Sequence, residues 1–456
     1  MNATRTLMYS VILLIGSPPG LAAGTLTLKT ALQQLPKSLE WQSADLTYAA
    51  AGQSLNAARA ATGLSVTVGG DAQAGVAVIG SGATTGPNAV SAGATAASLS
   101  VSSSASLALL PWSAAFDGVR SATRAYHRAT LELRDTRNTL AINLTQAYQS
   151  ARIAQLDADN ARSSETVAAQ QLEVAVQQQK NGQVTKDSFE NTRRLLENAR
   201  LTTLQATQNL EVSRAQLFSA IGSSDAGETL EPATPAVITA RPLELLIQTA
   251  LNQRTDVLKA LSKVGDAEDA LNVATRNRLL PSGSVGVSFG QGSGGTNLSS
   301  SLGLATGTLS VTGNTPLTGS NTTATSLTVS VSANVAVFDP NADAKIRSAS
   351  LSLDSSRKAL ESTRQAAALD LRQKYADALL QQRRYSYQQQ VLGNAINALE
   401  TAKKRLALGS IAALEVAQAQ QTVSQAQRDL ENQLGTLNLS IVRLENASGS
   451  YKRESP

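Results

Sequence analysis

Two hydrophobic rhythms alternate along this chain. Apolar and small residues recur at Leu140, Leu144, Ala147, Ala151, Ala154, Ala158 and Ala161. That alternating four-and-three spacing is a heptad seam, and its alanines permit close helix approach. Gly182 interrupts the pattern, and Leu196, Ala199, Thr203, Ala206, Leu210, Ser213, Leu217 and Ala220 then resume it. The second half repeats the arrangement with Leu371, Tyr375, Ala378, Leu392, Ile396, Leu399 and Leu406, then Val416, Ala419, Val423, Ala426, Leu430, Leu437, Leu444 and Ala447 after Gly409. The spacing predicts two coiled-coil helix hairpins turning near 182 and 409.

The other rhythm has a period of two. Leu327, Val329, Val331, Ala333, Val335 and Val337 alternate with Thr328, Ser330, Ser332, Asn334 and Ala336. Leu99, Val101, Ala105, Leu107 and Leu109 alternate with serines, and Val66 and Val68 with Ser65 and Thr67. Four strands are predicted, at about 64–78, 97–110, 283–290 and 325–338. The Gly-, Ser-, Thr- and Asn-rich stretches Gly69 to Gly93 and Gly290 to Thr325 read as exposed loops. One apolar and one hydroxyl-rich face suit a barrel between lipid and water, and equally a half-buried soluble sheet. A dozen residues at about 3.3 Å each suffice to cross a bilayer, which favours the barrel.

The halves are duplicates. Val119-Arg120-Ser121-Ala122 recurs as Ile346-Arg347-Ser348-Ala349, and the same offset maps Tyr148 onto Tyr375, Gly182 onto Gly409, Leu217 onto Leu444 and Gly222 onto Gly449. The expected organisation is a first repeat over 24–222, a Pro-bearing linker over 223–241, a second repeat over 242–449 and a tail over 450–456. About 65 residues from Asp117 to Asn181 make a helix about 97 Å long. The opening helix, about 26–62, and the return helix, about 186–222, reach about 55 Å each, so stacked end to end they match one long helix. Each half then supplies two full-length staves of a wall.

Composition narrows the function. The 456 residues include no cysteine, one histidine, 42% hydrophobic, 16% charged and only 3% aromatic residues. There is no disulfide framework, thiolate metal site, thiol nucleophile or lipidated cysteine, and His127 alone makes no multi-histidine metal centre. Neither a cofactor site nor a catalytic constellation is legible, so an enzyme is not expected. The net charge of +5 comes from scattered residues with no basic run between aromatics, which argues against nucleic-acid binding. Arg5, the apolar run Leu7 to Ile15 and the small residues Ala22 and Ala23 form a secretory signal peptide over 1–23. No later segment has eighteen consecutive apolar residues, so an exported chain enters a membrane only as strands. Four strands cannot close a barrel, whereas three copies supply twelve strands above twelve helical staves.

The duplicated plan, the exported start, the Leu280-Pro281 helix exit, the Phe338-Asp339 elbow and the two Gly turns closely resemble the TolC family of outer-membrane efflux proteins. The implied fold is mainly α with a membrane β-barrel part, duplicated and homotrimeric. The resemblance implies an outer-membrane duct with its helices in the periplasm, contacting outer-membrane lipid. A periplasmic adaptor (membrane fusion protein) and an inner-membrane transporter complete a tripartite efflux or type I secretion system. The family's tips map onto Lys180 to Asp187 and Leu408 to Ala412, making Gly182, Gln183, Val184, Gly409 and Ser410 the candidate adaptor contacts. Some members carry two acids six and nine positions beyond the second Gly, and an arginine latch two beyond. Here these positions hold Glu415, Gln418 and Ile411, so the candidate gate keeps one acid. The first elbow departs from the pattern, with Pro111-Trp112 at the equivalent place and Phe116-Asp117 five residues later. Girdle aromatics are few: Trp112, Phe116, Phe289 and Phe338.

Other motifs are declined. Gly290 to Gly295 satisfies G-x-G-x-x-G, but no helix opens after it. His127 lies among arginines on a solvated face, Asn143-Leu144-Thr145 sits on the seam, and Tyr385 and Tyr387 read as packing residues. The competing reading is a soluble periplasmic coiled-coil adaptor or scaffold whose strands form a β-domain.

Overall fold

The computed structural model describes residues 25–76, 95–224, 227–232, 234, 242–291, 295–316, 325–335 and 338–451. The expected signal peptide, most of the linker and nearly all of the tail lie outside these residues. The chain opens with β1 (Thr25–Leu26), α1 (Leu28–Gln34) and α2 (Leu39–Ala60), followed by β2 (Ser65–Val76) and β3 (Thr95–Ala108). Then come α3 (Ala114–Lys180), α4 (Lys186–Ile221) and β4 (Thr229–Leu230). The second half has α5 (Leu243–Gln253), α6 (Thr255–Leu279), β5 (Ser282–Gln291), β6 (Asn297–Gly303), β7 (Thr308–Pro316), β8 (Thr325–Asn334), α7 (Pro340–Ala407) and α8 (Ala413–Ala447).

The long helices α3 and α7 run for 67 and 68 residues, about 100 Å each. Their buried positions follow the heptad seam: Leu140, Leu144, Ala151, Ala158 and Ala161 on α3, and Leu353, Leu360, Ala367, Leu371 and Ala378 on α7. Against α7 pack Leu246, Ile247 and Ala250 of α5, with Leu444 and Ala447 of α8. Lower down, Ala395 and Leu399 meet Val423 and Ala426. The first-half core gathers Leu26, Trp41, Leu144, Tyr148, Leu217, Phe218, Ile221 and Leu230. Within it the Tyr148 hydroxyl lies between the carbonyls of Leu26 (2.7 Å) and Glu231 (2.8 Å), which share its single hydrogen, tying β1 and β4, which pair in parallel, to the long helix. Burial pushes that phenol up to about 12, so it remains a donor.

Two expectations need correction. Each opening helix is broken rather than continuous. In the first half Pro36 lies in a 3-10 turn (Leu35–Lys37), and Ser38 then caps α2 by accepting from the Trp41 N–H (3.3 Å). Proline lacks the N–H that an uninterrupted helix would use there. In the second half Arg254 is extended between α5 and α6, and its guanidinium binds Asp256 and Asp370. The breaks are where the stacked helices meet. Gly222 ends α4 with φ 76°, its Cβ direction 2.9 Å from the Lys37 carbonyl. Its repeat counterpart Gly449 abuts Gln253 and Arg254 with φ 73°.

The second correction concerns the strands. Residues 290–325, read as a loop, contain β6 and β7, so the sheet has six strands in the order β2-β3-β7-β6-β5-β8 rather than two pairs. Likewise β2 runs through Gly69 and Gly70 to Val76. Among the described residues the sheet is open, with β2 and β8 at its edges. Val285, Val287 and Phe289 of β5 pair with Val331, Val329 and Leu327 of β8, so one face is continuously apolar. The opposite face carries hydroxyl pairs, including Ser65 with Ser106 (2.7 Å) and Thr67 with Ser104 (2.6 Å).

Replacing Gly222 by alanine adds a contact clash to left-handed strain. Gly182, also left-handed (φ 69°), has open space where its Cβ would go. Gly222→Ala is expected to cost about 2–3 kcal/mol and Gly182→Ala about 1 kcal/mol. Thermal unfolding of the two variants in detergent measures the difference, and equal losses would contradict the stacking junction.

Candidate functional site

The tips are built alike. At the end of α3, Gly182 donates to the Gln179 carbonyl (3.0 Å) and Gln183 to the Gln178 carbonyl (2.8 Å). At the end of α7, Gly409 donates to Leu406 (2.8 Å) and Ser410 to Arg405 (3.0 Å). Both are Schellman turns, which need a left-handed residue after the helix and therefore glycine. The helices restart differently. Thr185 caps α4 by accepting from the Ser188 N–H (3.3 Å), whereas Ala412 gives α8 no side-chain cap.

The sequence-predicted residues fall into two groups. Gly182, Gln183 and Val184 form the first tip; Gly409, Ser410 and Ile411 form the second. Glu415 lies in the first turn of α8, exposed, where the helix dipole favours a carboxylate. Gln418, also exposed, is three residues on and shares its face. Leu408 at the same tip is 83% exposed. Among the described residues, no hydrogen bond or ion pair joins 182–184 to 409–418. Side-chain hydrogen bonds between the two hairpins extend down only to Gln421 with Ser164 (2.7 Å).

Above the tips α3 is held by both halves. Arg428 grips Asp157 (2.7 and 3.1 Å), and Arg152 grips Glu431 (2.8 and 3.0 Å) while donating to the Leu230 carbonyl. The carboxylate of Asp157 holds the Arg428 guanidinium above its usual value. Nearer the sheet, Arg124 of α3 pairs with Asp266 and Asp269 of α6, Arg128 pairs with Asp266, and Lys259 pairs with Glu132 and Asp135. At the top, Arg276 binds Asp117 in the first turn of α3 (2.5 Å). Sequence reasoning missed these pairs because their partners lie more than a hundred residues apart and follow no local spacing. Charges recurring on seam-flanking positions were the available signal.

At the second elbow, α6 ends at Leu279, and Pro281 precedes β5. Asp339 caps α7 by accepting from Asn341 (3.0 Å) and Ala342 (3.1 Å), with Pro340 in the first turn. Trp112 and Phe116 lie at the first elbow and Phe338, 83% exposed, at the second, while Phe289 is on the apolar face of the sheet. Gly290 and Gln291 end β5 and Asn297 opens β6, so a strand and not a helix follows the glycine-rich motif, whose residues 292–294 lie outside the described residues. His127 is exposed, and Tyr387 is 64% exposed rather than packed within the chain. Among the described residues there is no cluster of metal-binding side chains, and no helix is long and apolar enough to cross a membrane.

Residues 246–450 match the family model described as outer membrane efflux protein. Solved structures share the architecture over nearly the whole chain. CusC is 16% identical with a TM-score of 0.67 and 96% of both chains covered. The Campylobacter jejuni CmeC outer membrane channel is 15% identical with a TM-score of 0.66, covering 94% of this chain and 87% of that one. Residues 246–450 thus resemble the outer membrane efflux protein family, and the whole chain shares the TolC-like fold of these channels. The open state of the Neisseria gonorrhoeae MtrE outer membrane channel is 18% identical, with a TM-score of 0.61 over 92% of this chain and 88% of that one. No curated protein sequence matches. The family match and the shared architecture favour an outer-membrane channel with periplasmic helices over the soluble-adaptor reading.

The Asp117 pair makes the first elbow of this chain acid-sensitive. The hydrogen bond from Arg276, with the positive charges of Arg276 and Arg120, holds the carboxyl below its ordinary 3.8. A lowered folded pKa gives stability that is complete above about pH 4 and is lost as pH falls through the lowered value. Asp117→Asn is expected to cost about 1–2 kcal/mol at pH 7, and its deficit against the parent should shrink below pH 4. Melting curves across pH 3–7 test this, and a pH-independent deficit would contradict it.

Proposed function

We propose that three copies of this chain assemble into a passive exit duct through the outer membrane and periplasm. The carrying observation is the open six-stranded sheet. Among the described residues its edge backbone groups have no strand partner, a state that lipid penalises heavily and that pairing with further copies removes. Supporting it are four staves per chain, each about as long as α3, and the match to the outer membrane efflux family. The energy for export comes from a partner, since the duct itself performs no chemistry. An inner-membrane transporter supplies cargo, and a periplasmic adaptor seats on the tips at Gly182 to Val184 and Gly409 to Ser410.

Opening is a movement of those tips. They are suited to it because the hydrogen-bonded contact between the hairpins stops at Ser164 and Gln421, short of both turns. In the trimer, Glu415 supplies a ring of three carboxylates at the mouth, with Gln418 one turn above and Ile411 below. Such a ring favours cations.

Detergent extraction of the outer-membrane fraction is expected to yield a trimer, whereas a soluble periplasmic monomer would sink the duct. For the gate, Glu415→Ala is expected to reduce cation selectivity in planar-bilayer recordings. Unchanged conductance and selectivity would remove Glu415 from the gate and leave the duct intact.

A further inference from the structure

The β6–β7 hairpin is placed as a wall element rather than a surface loop. All five contacts between neighbouring strands are antiparallel, so strand direction alternates through the sheet and its two edges run oppositely. The β2 edge of one copy is therefore set to pair antiparallel with the β8 edge of the next.

The hairpin keeps the side-chain parity of its neighbours. Leu298 pairs with Phe289, and Leu302 pairs with both Val285 and Leu309, all on the apolar face. On the other face Ser299 bonds Thr312 (2.6 Å) and Ser301 bonds Ser310 (2.9 Å), continuing the hydroxyl ladder. Its lower turn is stitched to both sides. Leu109 and Leu110 donate to the Gly307 carbonyl (3.0 Å each), Trp112 Nε1 donates to the Leu304 carbonyl (3.0 Å), and Leu304 donates to Gly283 (2.9 Å). A one-residue slip would turn the leucines into water.

Widths agree with that placement. Six strands at about 4.8 Å, tilted about 40°, span about 37 Å of circumference, whereas four span only about 25 Å. Four helical staves at about 9 Å span about 36 Å. Six strands thus match the four staves each chain contributes below them.

Resting on the trimeric duct of the preceding section, we infer that β6 and β7 are membrane staves, so that three copies close an eighteen-stranded barrel as wide as the helical duct. Its backbone diameter is about 36 Å, against about 24 Å for twelve strands. The described positions on its water face are almost all hydroxyl, amide or glycine, with Asp71 the carboxylate of β2. The outlet then imposes no narrowing of its own, and selection of cargo rests with the tips.

The chain has no cysteine, which makes the test direct. Ser104 and Thr312 are register partners on β3 and β7. In the trimer, Ser104→Cys with Thr312→Cys is expected to cross-link within one chain under a short water-soluble bis-maleimide, which adds one thiol at each end, and neither single variant should. End-on electron-microscope projections of the unmodified trimer, which need no variant to fold, are expected to show a ring about 36 Å across at the sheet end. A trimer with a ring of only about 24 Å overturns the inference and leaves the duct standing. So does a double variant that folds without cross-linking. Absence of any trimer removes the duct reading itself and the closed barrel with it.

Discussion

Backbone hydrogen bonding in hydrocarbon is the constraint on which this molecule depends. An unpaired N–H or C=O in lipid costs several kcal/mol, and an open sheet presents a row of them along each edge. Among the described residues the sheet ends at β2 and β8, and in lipid those edges would leave a single copy incomplete, however well its helices pack. The same constraint explains the composition of the strands. Serine and threonine face water and bond across the sheet, while valine and leucine face outward, and no bulky core is needed between sheets.

The helical part solves a different problem with small side chains. A wall one helix thick has no thick interior, so large aromatics have little to fill. Alanine at Ala151, Ala158, Ala161, Ala367 and Ala378 lets neighbouring helices approach closely along about 100 Å. Charged pairs across the seams, such as Arg152 with Glu431 and Arg428 with Asp157, fix register where an alanine seam alone would permit sliding. Two of the few aromatics sit at places of special geometry: Tyr148 ties β1 and β4 to α3, and Trp112 holds the turn after β6.

Much of this was legible in the sequence, and the reasons for the rest are physical. Heptads identified both hairpins because their seams are long and uninterrupted, and the glycines marked the tips because a Schellman turn demands one. The break in the first opening helix was missed, since the apolar pattern runs on through it, although Pro36 followed by the cap Ser38 carried the signal. The break at Arg254 carries no such mark, since its extended conformation is held by Asp370 from a helix more than a hundred residues away. The β6–β7 hairpin escaped because serine, threonine, asparagine and glycine dominate it, a composition shared by loops and by strands with one wet face. Only Leu298, Leu302, Leu309 and Val311 reported its parity, too few for a clear alternation. At the tips, residue identity placed Ile411, Glu415 and Gln418 on one hairpin end, but sequence could not show where contact between the hairpins stops.

One difference between the duplicated tips is a helix cap that the repeat does not preserve. Thr185 offers an oxygen to the first turn of α4, while Ala412, its counterpart in the second half, offers α8 none. A missing cap is worth about 1 kcal/mol, which is about a fivefold difference in how often the first turn unwinds at room temperature. The two tips of one chain are thus mechanically unequal. Fraying is concentrated at the second tip, and in the proposed trimer it would alternate soft and stiff points around the mouth.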